Sequence, residues 1–245
     1  MIGDKTFYFD VIDSTNKFLK DNWIDLPSET VVWAKKQISG RGRKGNLWIS
    51  EEGGLWFSTL FKPSKRTIEP QYYIKMYSLA ICDMLSKYKI NAKIKWPNDV
   101  LIKNEKICGI MAENIFLNSR AYAVIVGVGI NINNQTYEGF ENPATSLYEQ
   151  TNKKVNLEKF LNELNHKVYY NYYLKYTKKM SLNVLTKKWK KNLNIFPEME
   201  VLVQYPEGKI EKVKILEIYP DYLEVVNYEN EIKKIFSGEI KLIKN

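Results

Sequence analysis

Lys106-Ile107-Cys108-Gly109-Ile110-Met111-Ala112-Glu113-Asn114-Ile115-Phe116 and, after a short polar turn, Ala121-Tyr122-Ala123-Val124-Ile125-Val126-Gly127-Val128-Gly129-Ile130-Asn131-Ile132 decide the fold class. Both runs are rich in β-branched and apolar residues, and no helix-length segment separates them, so they read as adjacent strands. Upstream, residues 92–96 form a third strand candidate. Before that, Pro70 opens a helix reaching about Tyr88, with apolar residues on nearly every face, which predicts a largely buried helix. Residues 6–12, 30–35 and 55–61 are further strands, and Asp13, Ser14 and Thr15 offer capping side chains to a helix after the first of them. Strands that follow one another without crossover helices predict an α+β fold, a mixed sheet with helices on one face, rather than a doubly wound one.

The second half changes character. Leu157, Phe160, Leu161, Leu164, Val168 and Tyr172 follow helical spacing, and Leu182, Leu185 and Trp189 continue it in a second helix. After Pro197 the pattern becomes short alternating strands, at 201–205, 213–218, 223–226, 232–236 and 239–243. Pro206-Glu207-Gly208 and Pro220-Asp221 are the turns between them. A small β-barrel appended to a larger domain is expected, with the division at residues 1–195 and 196–245.

The 245 residues are 44% hydrophobic and 27% charged, ordinary values for a globular protein. No run of about 18 apolar residues predicts a membrane span, and the N-terminus lacks the pattern of a signal peptide. Cys82 and Cys108 are too few for a disulfide framework or a thiolate zinc site, so a cytoplasmic protein is expected. The net charge of +9 invites a nucleic-acid reading. Against it, only Arg41, Arg43, Arg66 and Arg120 are arginines, and the lysines, such as Lys178-Lys179 and Lys187-Lys188, are scattered as on a solvated face.

Three segments carry chemistry. Gly40-Arg41-Gly42-Arg43-Lys44-Gly45, followed by Trp48, combines backbone that an anion can approach with three cations. It closes with no Gly-Lys-Ser/Thr and is neither a Walker loop nor a dinucleotide fingerprint; a flexible hairpin tip or an RNA contact is the plainer alternative. Lys95-Trp96-Pro97-Asn98-Asp99 reads as a tight turn, with Lys106 and Gly109 on the strand behind it. Gly127-Val128-Gly129-Ile130-Asn131 places two glycines in an apolar strand, so either a bulge or something packed on that backbone is expected. The single histidine, His166, lies mid-helix, and no Ser-His-Asp, Cys-His or HExxH arrangement occurs. An enzyme built this way works by positioning and cations rather than by a side-chain nucleophile.

In register, these segments closely resemble the biotin protein ligases. The resemblance runs through Asp13-Ser14-Thr15-Asn16, Gln37, Gly40–Gly45 with Trp48, Gly53-Gly54-Leu55, Lys95–Asp99, Lys106–Gly109, Gly127–Asn131 and Ser237-Gly238-Glu239-Ile240. Ile38-Ser39, Asn46 and Glu51 depart from the commoner residues of that family. The resemblance implies a class II synthetase-like catalytic domain with a C-terminal SH3-like barrel, and a monofunctional ligase without an N-terminal DNA-binding module. Biotin would be activated by ATP, with Mg²⁺, to biotinyl-5′-AMP and passed to a lysine of a biotin carboxyl carrier domain.

By the same resemblance Lys106, Arg41 and Arg43 are catalytic. Ser14, Thr15, Gln37, Gly40, Arg41, Lys106, Gly109, Gly127 and Gly129 bind biotin. Arg41, Arg43, Lys44, Trp48, Asn98, Lys106 and Asn131 bind the nucleotide, Trp48 stacking on adenine and Asn131 reading its edge. No metal ligand is assigned. No specific DNA and no membrane partner is expected, and a homodimer is left open. A lipoate or octanoate ligase or transferase of the same fold, with Cys108 as an acyl-thioester nucleophile, is the nearest alternative; a non-enzymatic RNA-binding protein is the other.

Overall fold

The computed structural model describes every residue except 64–68, 118–119, 137–142, 178–181, 238–240 and 244–245; for residues 44, 120, 176, 177, 182 and 241–243 it describes the backbone alone. Lys178-Lys179 and Gly238-Glu239-Ile240 therefore lie outside the described residues.

The chain begins with β1 (Thr6–Ile12), α1 (Thr15–Asn22), β2 (Val31–Gln37) and β3 (Leu55–Phe61). The buried helix α2 (Pro70–Ser86) leads to β4 (Lys93–Lys95), β5 (Asp99–Ile102), β6 (Glu105–Leu117) and β7 (Arg120–Ile130). These strands form one mixed sheet in the order β1-β2-β3-β7-β6-β5-β4. Among the described strands only β1 and β2 pair in parallel, because α1 supplies the crossover that a parallel pair needs. Ser14 starts that helix: its backbone is extended and its hydroxyl accepts from Lys17 N.

Strand alternation gives the sheet two different faces. Val31, Phe57, Phe61, Val124, Val126, Val128 and Ile130 point into the large core beneath α2. There α4 (Leu157–Val168) and α6 (Leu182–Asn192) pack over α2, after the short α3 (Leu147–Thr151) and with the short α5 (Leu174–Thr177) between them. This double covering is why α2 is apolar all round: every residue from Tyr73 to Cys82 is buried. On the opposite face Leu19, Val32, Leu60, Ala123 and Ile125 make a small core under α1. Beyond the end of α1 that face carries Gly109, Gly127 and Gly129, and there the sheet opens into a cleft.

Two elements were missed at the level of sequence. The four-residue β5 lay hidden behind the Pro97-Asn98-Asp99 turn, which proves to be the hairpin joining it to β4. The helix α3 carries a complete capping box, Ser146 to Glu149, a signature readable in the sequence.

The C-terminal strands are β8 (Glu200–Gln204), β9 (Ile210–Ile218), β10 (Tyr222–Asn227), β11 (Ile232–Phe236) and β12 (Lys241–Ile243). They form an antiparallel sheet in the order β11-β10-β9-β8-β12. Among the described residues no pairing of β11 with β12 closes it into a barrel. Its inward residues, including Val203, Val213, Ile215 and Val225, belong to the same core as the main sheet. Among the described residues no helix is long and apolar enough to cross a membrane.

Candidate active site

The cleft encloses about 660 Å³ above the glycine-bearing face of the sheet. Ser14, Thr15, Gln37, Arg41, Arg43, Trp48, Asn98, Lys106, Gly109, Gly127, Gly129 and Asn131 all line it. Residues singled out from five separate stretches of sequence thus converge on one place. Gly40 supports the rim without lining the cleft, and the Lys44 side chain lies outside the described atoms.

One end of the cleft is a network of neutral polar groups. Gln37 Oε1 accepts from Thr15 N at 2.9 Å and faces Thr15 Oγ1 at 3.0 Å. The Gln37 amide is fixed the other way round by Nε2 donating to Ser50 Oγ at 2.8 Å. Thr15 Oγ1 lies 2.6 Å from Ser58 Oγ, and Ser58 donates to Asn16 Oδ1. Thr15 and Ser58 are 3% and 0% exposed, so these groups are matched inside the fold rather than by solvent.

The other end is cationic. Lys106 Nζ pairs with Asp99 Oδ2 at 2.8 Å and lies 5.0 Å from the Trp48 ring centroid. Arg43 spans two elements: Nη1 donates to Asn98 Oδ1 at 2.8 Å and Nη2 to Ser237 Oγ at 2.9 Å. Burial pulls the Arg43 pKa down and Asp99 opposes the shift; a guanidinium starts so high that the charge persists at neutral pH. Asn98 is itself tied to β6, donating from Nδ2 to Ile110 O at 2.8 Å and accepting from Ile110 N. Arg41 is exposed on the rim and forms no ion pair among the described residues.

The loop carrying these cations is a small hairpin. Trp48 N donates to Gly40 O at 2.9 Å, and Gly42 N to Asn46 O at 2.7 Å, around a 3₁₀ turn at Arg43–Gly45. Two of its glycines are structurally required. A Cβ on Gly40 would stand 2.3 Å from the Trp48 carbonyl oxygen, and Gly45 has φ +76°. A Cβ on Gly42 would meet nothing closer than 3.6 Å, so that position is free on steric grounds.

The glycines of the sheet are covered by side chains of the protein. A Cβ on Gly129 would fall 2.4 Å from Trp48 Nε1, one on Gly109 2.9 Å from Trp48 Cζ3, and one on Gly127 2.3 Å from Asn16 Oδ1. The register of β3, β7 and β6 runs through all three without a bulge, which answers the alternative left open by the sequence. Asn131 lines the cleft while bracing its own loop: its Nδ2 donates to Thr145 O at 3.1 Å and its Oδ1 accepts from Asn134 Nδ2 at 3.1 Å, which leaves one N–H and one lone pair of the amide without a bond to the loop.

Sequence reasoning assigned no role to Asn16, Asp99, Ser58 or Ser237. Asn16, Asp99 and Ser237 stand inside the quoted segments; Ser58 has no local signal, because only sheet register brings it behind Thr15. Among the described residues no group of three His, Cys, Asp or Glu forms a ready metal cage.

A biotin/lipoate A/B protein ligase family model matches residues 8–131, the stretch that supplies most of the cleft lining. The bifunctional ligase/repressor BirA of Bacillus spizizenii is 35% identical over 165 residues, covering 63% of this chain and 50% of that protein. The biotin–[acetyl-CoA-carboxylase] ligase of Paracoccus denitrificans is 30% identical over 159 residues, covering 62% and 66%. The chain spans about half the length of the Bacillus relatives it matches. The structure of the Aquifex aeolicus biotin protein ligase in complex with biotin and ATP superposes with a TM-score of 0.81 at 28% identity, over 99% of this chain and all of that one. A family model over half the chain and a shared fold over nearly all of it lead to one assignment: this protein belongs to the biotin/lipoate A/B protein ligase family.

Proposed function

We propose that the chain is an ATP-dependent biotin ligase. The carboxylate of biotin attacks the α-phosphorus of ATP, pyrophosphate leaves, and biotinyl-5′-AMP forms. The ε-amine of a carrier-domain lysine then attacks the acyl carbon; AMP leaves and an amide remains. The observation that carries this reading is the division of the cleft into a neutral hydrogen-bonding end, built on Thr15 and Gln37, and a cationic end, built on Lys106 and Arg43. A bicyclic urea with a carboxylated tail matches that polarity: the head finds donors and acceptors, and the acid lies where charge accumulates during attack.

In this reading Lys106 exchanges Asp99 for the biotin carboxylate and the α-phosphate, Arg41 and Arg43 neutralise the phosphates, and Ser14, Thr15 and Gln37 hold the ureido head. Trp48 packs beside the adenylate. Asn131, whose amide braces its own loop with one N–H and one lone pair, offers the second of each to the adenine edge. Mg²⁺ fits the site as an ion that would arrive with the nucleotide: Asp99, a carboxylate on the cleft wall, would help hold it once Lys106 has turned to the substrate, with phosphate oxygens and water as its other ligands. When bound it would offset charge on the phosphates.

We assign residues 1–195 to the catalytic unit and 196–245 to the C-terminal one. The two meet where Trp96 Nε1 donates to Tyr219 O at 2.8 Å and where Arg43 reaches Ser237. The partner is a biotin carboxyl carrier domain, and the proposed location is the cytoplasm, where ATP and such carriers meet.

Biotin-dependent ATP–pyrophosphate exchange tests the first step, with lipoate and octanoate in parallel, and label transfer to an apo carrier domain tests the second. Exchange driven by lipoate or octanoate in place of biotin would move the chain to the other branch of its family.

A further inference from the structure

Lys106 stands where the regular sheet gives out. On one side β7 ends at Ile130, opposite Cys108. On the other the pairing with β5 slips: Val100 faces Cys108 and Leu101 faces Lys106, which leaves Ile107 without a partner. A bulge of this kind re-aims the side chains beside it and interrupts the ladder that would hold them. Asp99 fixes the far end of the Lys106 side chain. The backbone from which that side chain extends is held separately.

Residues 143–145 hold it. Lys106 N donates to Pro143 O at 2.8 Å, Thr145 N donates to Lys106 O at 3.0 Å, and Ala144 bridges Lys106 in parallel. This strap belongs to no strand of the sheet, so sheet pairing does not fix its place. Ala144 and Thr136 line the cleft.

Glu149, in the first turn of α3, collects the donors around the strap. Its Oε1 accepts from Thr136 N at 2.8 Å and its Oε2 from Ser146 N at 2.8 Å. The Thr136 hydroxyl lies 3.0 Å from both oxygens, and the Thr145 hydroxyl 3.4 Å from Oε2. Thr145 can give its proton there because Gln150 Nε2 donates to the same hydroxyl at 3.0 Å. A capping box needs only the bond from Ser146 N. The remaining bonds tie α3 to residues on both sides of the strap. Burial works against the charge of Glu149, yet the bonds from Thr136 and Ser146 hold its pKa below the ordinary carboxylate value. At neutral pH it is therefore ionised and only accepts.

We infer that Glu149 is a positioning residue, which clamps the strap against β6 and so sets the backbone from which Lys106 reaches the reacting groups. Glu149 itself stands outside the cleft lining and acts through Lys106. This deepens the biotin reading and rests on it.

Single-turnover formation of biotinyl-5′-AMP at saturating biotin and ATP tests the coupling, in a cycle of Glu149→Gln with Lys106→Ala. The amide has nearly the shape of the carboxylate, but its nitrogen would face either Thr136 N–H or Ser146 N–H, so one bond is lost. Glu149→Gln should slow adenylation about tenfold, with biotin affinity by calorimetry within twofold of wild type. In the Lys106→Ala background the same substitution should change the rate less than twofold, since the group it positions is gone. Ser146→Ala removes the other half of the capping box, the bond from Glu149 N to Ser146 Oγ, and spares the carboxylate; it should lower stability in urea and leave adenylation within twofold. If Glu149→Gln does not fold, Thr136→Val, which takes one donor from the same carboxylate, enters the same cycle. An equal slowing with and without Lys106, or a Ser146→Ala variant as slow as Glu149→Gln, overturns the inference while the biotin reading stands. A wild type that forms no adenylate from biotin overturns that reading and the inference with it.

Discussion

Lys106 Nζ lies 2.8 Å from Asp99 Oδ2, across the paired strands β5 and β6, and both side chains are largely withdrawn from solvent. The carboxylate holds the ammonium extended over Gly109, whose missing side chain leaves room for the lysine stem: a Cβ there would stand 3.3 Å from Lys106 Cε. A half-buried pair of this kind is costly to break from one side only, since the partner is left with an uncompensated charge.

Lys106→Ala should therefore act on two levels. Adenylate formation in a single turnover should fall by about 10²–10³, the usual effect of removing one donor aimed at developing charge. Biotin affinity, set mainly at the neutral end of the cleft, should fall far less. Near-normal single-turnover adenylation in this variant would remove Lys106 from the mechanism.

Arg43 makes a different prediction, because it binds the loop shut rather than touching one partner. Its fork reaches Asn98 on the β4–β5 turn and Ser237 at the end of β11. Arg43→Gly should loosen the loop and speed release of the adenylate roughly tenfold. The assay is labelling of bystander lysines on an added protein that carries no carrier domain. Arg43→Lys should recover little of the loss, since one ammonium cannot span two acceptors as a planar fork does. Bystander labelling unchanged from wild type would refute this role.

The limits of the sequence reading follow from where each signal resides. The long strands β6 and β7, the all-round apolar α2 and the helical spacing of α4 were legible because periodicity is written locally. The short β5 was not, since four residues after a turn carry no period. In the site, the glycine-rich loop and Lys106 stood out by residue type. Ser58 did not, because a serine in an apolar strand gains meaning only when register sets it opposite Gly127 and behind Thr15. For the glycines of β7 the sequence leaves a bulge and a close approach equally open, because only the folded chain brings Asn16 and Trp48 over that backbone.

Cys108 separates the biotin reading from an acyl-thioester mechanism. It is wholly buried, and it belongs to the core beneath α2 rather than to the cleft lining. Burial pushes its thiol well above the ordinary range, with Asp99 adding to the shift, so little thiolate forms at neutral pH. Cys108→Ala should keep full exchange and transfer activity while costing roughly 1 kcal/mol of stability from the small void it leaves. Transfer assays beside urea denaturation check both halves. Loss of transfer with intact stability would restore the cysteine as a nucleophile.

Lys75 sets the pH dependence of stability. It is 2% exposed between α2 and α6, its Nζ donating to Thr186 Oγ1 at 3.0 Å and lying 4.8 Å from the Tyr72 ring centroid and 5.5 Å from that of Trp189. Burial lowers its pKa from 10.5 to about 8, Lys190 assists, and Glu69 and Asp221 oppose. Between those two values the unfolded chain binds the proton that the folded chain has lost. Stability should therefore rise as pH rises through that window, and at pH 7 the buried charge should cost on the order of 3 kcal/mol. Other groups titrate over the same range, so the informative quantity is the difference between wild type and Lys75→Met, which keeps an unbranched stem in the same slot. That variant should be the more stable at pH 7, with an advantage that shrinks toward zero by about pH 10.5. Urea unfolding at intervals from pH 7 to 10.5 measures it. A difference that stays constant with pH would mean that Lys75 keeps an ordinary pKa and that packing, not charge, sets its contribution.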